Sequence, residues 1–151
     1  MPNLSDLLAA DPGLHADVLA AFAVGKHCTI ATLRADGAPR ISGTEVEFED
    51  GEVYIGTGEL ARKTVDITAD PRVAIHSPTR DPGLDGSWPG EAKMSGIAVQ
   101  VETPTHYPPG GRRFRIDLTS AVYTGLTDET PPRLRIRLWR PGRDVETMLR
   151  T

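Results

Sequence analysis

Apolar positions along the chain change period near residue 27. Before it, Leu4, Leu7 and Leu8, then Val18, Leu19 and Phe22, recur at three- and four-residue spacing, as in helices with one buried face. The spacing predicts helices over 4–10 and 15–24, the first capped by Ser5 or Asp6, with Asp11-Pro12-Gly13 between them. After His27 the pattern alternates: Cys28, Ile30 and Thr32 point one way, Thr29, Ala31 and Leu33 the other. Asp36-Gly37 and Asp50-Gly51 carry hairpin-turn chemistry. Three strands, over 28–33, 40–48 and 52–57, are therefore expected to form an antiparallel meander, because parallel pairing needs long crossovers.

A helix-like run, Ala61 to Asp70, then stops at Pro71. Strands are expected again over 72–76, over 92–102 with Ile97, Val99 and Val101 on one face, and over 113–124 with Phe114, Ile116 and Leu118 opposite Arg113, Arg115 and Asp117. Leu134, Ile136 and Leu138 alternate with Arg133, Arg135 and Arg137, which reads as a strand with a solvated charged face. Segments 77–90 and 104–111 are rich in Pro and Gly and read as loops. The sum is a mainly β chain: a six-stranded antiparallel barrel with peripheral helices, closure being one way such a sheet removes its edges. At 151 residues a single domain over 1–151 is expected, with helices in 1–25 and the barrel in 26–142.

Composition narrows the function classes. A net charge of −4 argues against nucleic acid as the main partner. Of the arginines, nine of 14 lie from Arg112 onward, while Lys26, Lys63 and Lys93 are the only lysines. Cys28 stands alone, so no internal disulfide can form. The segment 1–11 has acids and no basic residue, unlike a secretory leader. No run approaches the ~18 apolar residues that span a bilayer. A cytoplasmic protein without membrane attachment is the expectation.

Several chemistries lack their residues. His15, His27, His76 and His106 are scattered without metal-ligand spacing, so no metal site is expected. No G-x-S-x-G elbow is present. Arg62-Lys63-Thr64 stands where a Walker loop has Gly-Lys-Ser/Thr, and Gly56-x-Gly58 lacks the third glycine of a dinucleotide fingerprint. Catalytic residues are not identifiable. Tyr54, Tyr107, Tyr123, Trp88 and Trp139 are candidates for pocket walls, although packing is the commoner use of aromatics.

The segment Thr57 to Thr64, T-G-E-L-A-R-K-T, is the most informative. It joins a strand to a helix, and the first N–H groups of a helix have no intrahelical partner. With Arg62 and Lys63 this makes a phosphate site, set against the ordinary alternative of a helix start with solvated charges.

The run from Ala31 to Ile75, with Asp36-Gly37-x-Pro39-Arg40, a strand ending in Thr57, and Arg62-Lys63 before Asp70-Pro71-Arg72-Val73, resembles the flavin-binding split-barrel family of pyridoxamine 5′-phosphate oxidase and its relatives. Leu138-Trp139-Arg140-Pro141-Gly142 is similar to the ending of actinobacterial members. The resemblance implies a split β-barrel of the FMN-binding type, with Arg40, Thr57, Arg62 and Lys63 on the flavin phosphate and the backbone near Ile41 and Ser42 facing the ring. It also implies a homodimer with the cofactor at the interface. The cofactor would be FMN or the deazaflavin F420, and the activity an oxidoreduction of a small organic molecule. Two departures separate the chain from true pyridoxamine phosphate oxidases: Glu45 replaces a basic residue, and Arg133-Leu134-Arg135-Ile136-Arg137 lacks the histidine of their substrate motif. The alternative is a non-catalytic carrier of flavin or haem, with His76 or His106 as the haem ligand. Glu45 and Glu59 oppose a phosphate by charge and keep open a fold that holds no cofactor.

Overall fold

Asn3 starts the first helix. Its side-chain oxygen accepts the Ser5 N–H and Asp6 returns a bond to the Asn3 N–H, both at 2.9 Å, a reciprocal cap. Asn3, rather than Ser5 or Asp6, is thus the cap, with Asp6 as its partner. In the computed structural model, which describes Met1–Thr151, this helix is α1 (Leu4–Ala10). Asp11 then caps α2 (Pro12–Phe22), accepting the Leu14 N–H, and Pro12 sits where a missing N–H costs nothing.

Nine strands follow: β1 (Cys28–Leu33), β2 (Pro39–Thr44), β3 (Val46–Glu49), β4 (Glu52–Thr57), β5 (Arg72–His76), β6 (Glu91–Val101), β7 (Arg112–Leu126), β8 (Leu134–Trp139) and β9 (Glu146–Arg150), with α3 (Arg62–Ala69) between β4 and β5. All pairings are antiparallel and the main path runs β2-β1-β5-β6-β7-β4-β3. Its two end strands are consecutive in the chain, separated by Glu45 alone. The sheet therefore curls until β2 approaches β4 without a ladder between them.

This geometry accounts for the strand count, which exceeds the six expected. The 40–48 run breaks at Glu45 because β2 pairs with β1 while β3 pairs with β4. β9, beyond the expected barrel limit at 142, pairs with β8, and all its residues are exposed, so no burial pattern marks it in the sequence. The Asp-Gly turns form as expected: Gly37 has φ 84°, and Asp50 and Gly51 have φ 51° and 79°.

The core holds Ile30, Val53, Ile55, Ile75, Met94, Phe114, Ile116 and Leu118 from the strands, covered by Leu14, Val18, Ala21 and Phe22 of α2. On β6 the buried face is Ala92, Met94, Gly96 and Ala98, and Ile97, Val99 and Val101 form the outer face. A register shift at Ser95/Gly96 accompanies this. Gly96 lies so close to β7 that an added Cβ would stand 2.7 Å from the Ile116 methyl. The arginines of β8 depart from a solvated face: Arg137 is mostly buried against Asp17 of α2. No helix is long and apolar enough to cross a membrane.

Candidate functional site

Thr57 ends β4 and lies buried, 6% exposed. Its hydroxyl has no hydrogen-bond partner in the chain, although buried hydroxyls nearly always find one. It lines a cleft of about 570 Å³ together with Gly43–Glu45, Glu47, Gly58, Glu59, Lys63 and residues 106–109 and 111. The turn that follows is closed by Thr64, whose hydroxyl donates to the Gly58 carbonyl at 2.9 Å. Of the two hydroxyls flanking the segment, Thr64 builds the turn and Thr57 remains available.

The turn delivers the start of α3. Ala61 is its cap residue and supplies no side-chain acceptor, so the Arg62 and Lys63 N–H groups stay free of backbone acceptors. Lys63 reaches across to β2, donating to the Gly43 carbonyl at 2.6 Å. Burial pushes its pKa down from the ordinary lysine value. Arg62 instead lines a second cleft, about 360 Å³, between the β1–β2 hairpin and α3, together with Arg34 and Arg40.

Arg40 is anchored. Its Nε donates to Asp66 Oδ2 at 2.7 Å, and the Thr32 hydroxyl donates to the same oxygen at 2.7 Å. The Arg40 bond, with Thr32 adding to it, holds the buried Asp66 carboxyl below its ordinary range. The terminal nitrogens of Arg40 make no bond within the chain. Ile41 is 75% exposed on the opposite face of β2 and Ser42 is half-buried. Because β2 has a neighbour only on its β1 side, backbone groups on its other edge are open to a ligand.

The expected residues thus surround one helix start but divide between two clefts, Thr57 and Lys63 in one, Arg40 and Arg62 in the other. Tyr107 and His106, candidates in the sequence for a pocket wall and a haem ligand, do line the first cleft, whereas their contacts and the places of Glu47, Arg113 and His27 were missed. Tyr107 donates to Glu47 at 3.1 Å, and its ring packs on Gly56, where a Cβ would stand 2.9 Å away. Arg113 holds Glu47 and Glu49 at 3.0 and 2.9 Å. His27 also lines the first cleft. Nothing local signals these contacts, since they join distant segments. Asp66 did leave a trace: it is an acid beside Ile67 on the buried side of a helix, a placement that demands a cation. Glu45 and Glu59 both line the first cleft, with Glu45 loosely paired to Lys26 at 3.6 Å. Of the proposed haem ligands, His76 bonds the Ser77 carbonyl at 2.7 Å and His106 packs edge-on to Tyr107. No group of three or more His, Cys, Asp or Glu could hold a metal ion.

No family model and no curated protein matches the chain. Solved structures do. A pyridoxamine 5′-phosphate oxidase-related, FMN-binding protein of Nostoc punctiforme superposes with a TM-score of 0.60 over 93% of this chain and 95% of its own, at 9% identity. The fold is the split barrel. A haem-binding protein of Mycobacterium smegmatis shares the split barrel at TM-score 0.63 and 14% identity, over 92% of this chain and 59% of that one. An F420 reductase does so at 0.53 and 15%, over 69% and 94%. At such identities the likeness is one of fold, and the assignment of chemistry rests on the residues around α3.

Proposed function

We propose that this split barrel binds a phosphorylated flavin or deazaflavin, FMN or F420, and serves as an oxidoreductase for a small organic molecule. The observation that carries the reading is the buried, unpartnered Thr57 hydroxyl beside the uncapped start of α3. Such a start favours an anion through its free N–H groups and its dipole. The phosphate would sit at the α3 start between the two clefts, held by Arg40 and Arg62 from the hairpin side and by Thr57 and Lys63 from the other. Arg40 has free terminal nitrogens for a charge-assisted bond. The open edge of β2 at Ile41 and Ser42 would meet the ring. Redox chemistry would come from the cofactor, and the protein's part is to bind and orient it.

The proposed assembly is a homodimer with the cofactor at the interface. Its support is the exposure of Ile41 at 75% on β2, Leu60 at 92% before α3 and Val65 at 61% on α3, large apolar side chains that a second copy would cover. Glu45 and the histidine-free β8 run point away from pyridoxamine phosphate as the substrate.

Parallel titration of the purified protein with FMN and F420 tests the reading. Replacing Arg62 and Lys63 together by Ala is expected to weaken the bound cofactor about tenfold or more with the fold intact by circular dichroism. Unchanged affinity would overturn the phosphate assignment. A Soret band in place of flavin absorbance would move the protein to the haem-binding alternative, and anaerobic turnover of a reduced cofactor separates enzyme from carrier.

A further inference from the structure

The second cleft has an excess of guanidinium over usable carboxylate. Arg34, Arg40 and Arg62 line it, and Asp36 and Asp66 are the acids in its wall. Asp36 is turned into its own hairpin, accepting the Ala38 N–H at 2.9 Å. Asp66 is occupied by Thr32 and Arg40. Arg34 and Arg62, like Arg80, Arg112, Arg135, Arg143 and Arg150, enter no salt bridge, and of these seven only Arg34 and Arg62 line this cleft. On an acidic chain, unpaired arginines facing one cavity form a local positive seat.

The base of Arg34 is also rigid. Its N–H donates to the Ala38 carbonyl at 2.9 Å and its carbonyl accepts the Gly37 N–H at 2.8 Å, closing a turn that requires the positive φ of Gly37. The arginine fork matches phosphate oxygens and is more weakly hydrated than an ammonium. Its charge already reaches the Asp66 carboxylate, adding to the effect of Arg40 and Thr32.

We propose that Arg34 is a third phosphate-binding guanidinium, completing with Arg40 and Arg62 a seat for a phosphate monoester in the cleft between the first hairpin and α3. The proposal rests on the reading of the chain as a phosphorylated-cofactor binder and extends it to a residue of the hairpin turn. Asp66, with Thr32, is the positioning group that leaves the outer nitrogens of Arg40 turned to the seat.

The test is a titration of isotope-labelled protein with inorganic phosphate, FMN and F420, following the arginine Nε–H signals. The Arg34 and Arg62 signals are expected to move together with each anion. Arg34→Gln should weaken FMN about fivefold while leaving riboflavin, which lacks the phosphate, unchanged, and Arg133→Gln should change neither. A still Arg34 signal at saturation, or equal losses for riboflavin and FMN, would overturn the seat. The two readings fail separately. If phosphate moves Arg34 and Arg62 but neither cofactor binds, the seat stands and the cofactor function falls. If a cofactor binds with Arg34 unmoved, the reverse holds.

Discussion

Asp66 is a charge placed where charges are costly, and its three-way contact with Thr32 and Arg40 decides whether it stabilises the fold. Removing one member of a buried pair typically costs about 3 kcal/mol, so Asp66→Asn is expected to lower stability by roughly that amount near neutral pH. The sign of the pH effect follows from direction. Folding lowers the Asp66 pKa from its ordinary 3.8, chiefly through the Arg40 bond. Its contribution is therefore complete above that value and fades as pH falls through the lowered one. Urea unfolding across acidic pH should show the wild type losing stability in that window and Asp66→Asn losing less. Equal slopes would mean that Asp66 does not carry the effect. At this scale the sequence was partly readable. Thr57, Arg62 and Lys63 stand out because they flank a strand-to-helix junction, a local event. Tyr107 is recognisable as a candidate wall residue, but its contact with Glu47 is not, because it spans 60 residues.

Elements were more legible than their faces. Alternation and Asp-Gly turns locate β1, β2 and β4, and the periodic apolar residues locate the helices. The facing of β6 was not predictable: Ile97, Val99 and Val101 turn outward, while Ala92, Met94, Gly96 and Ala98 turn in. The reason lies in β7, whose Asp117 carbonyl and Ile116 methyl fill the space beside Gly96. Gly96→Ala is accordingly expected to destabilise by about 2 kcal/mol, within the range for overpacking a core, because the obstructing atom is backbone and cannot rotate away. A melting temperature within a degree of wild type would show that the two strands separate more easily than their packing indicates. Breaking the expected 40–48 strand at Glu45 was likewise invisible locally, since both halves remain extended and only their partners change.

At the scale of the whole molecule, the exposed apolar residues argue for a second copy. Sedimentation of the wild type should give a dimer, and Ile41→Asp should shift it to monomer while circular dichroism stays unchanged. A wild-type monomer at tens of micromolar would remove that support. The barrel also has a hub. β7 pairs with β6 along one edge and, on the other, with β4 near its start and β8 near its end. β4 ends at Thr57, yet its partner stretch in β7 begins at Arg112, so during synthesis one long edge of β4 waits while the intervening residues emerge. At ~5–20 residues per second that interval is several seconds. Throughout it, a strand containing Val53 and Ile55 has β3 on one edge but lacks β7 on the other and the core residues of β5, β6 and β7. Such distant pairings slow folding, which makes this interval the time when the nascent chain is most open to aggregation and to capture by a chaperone.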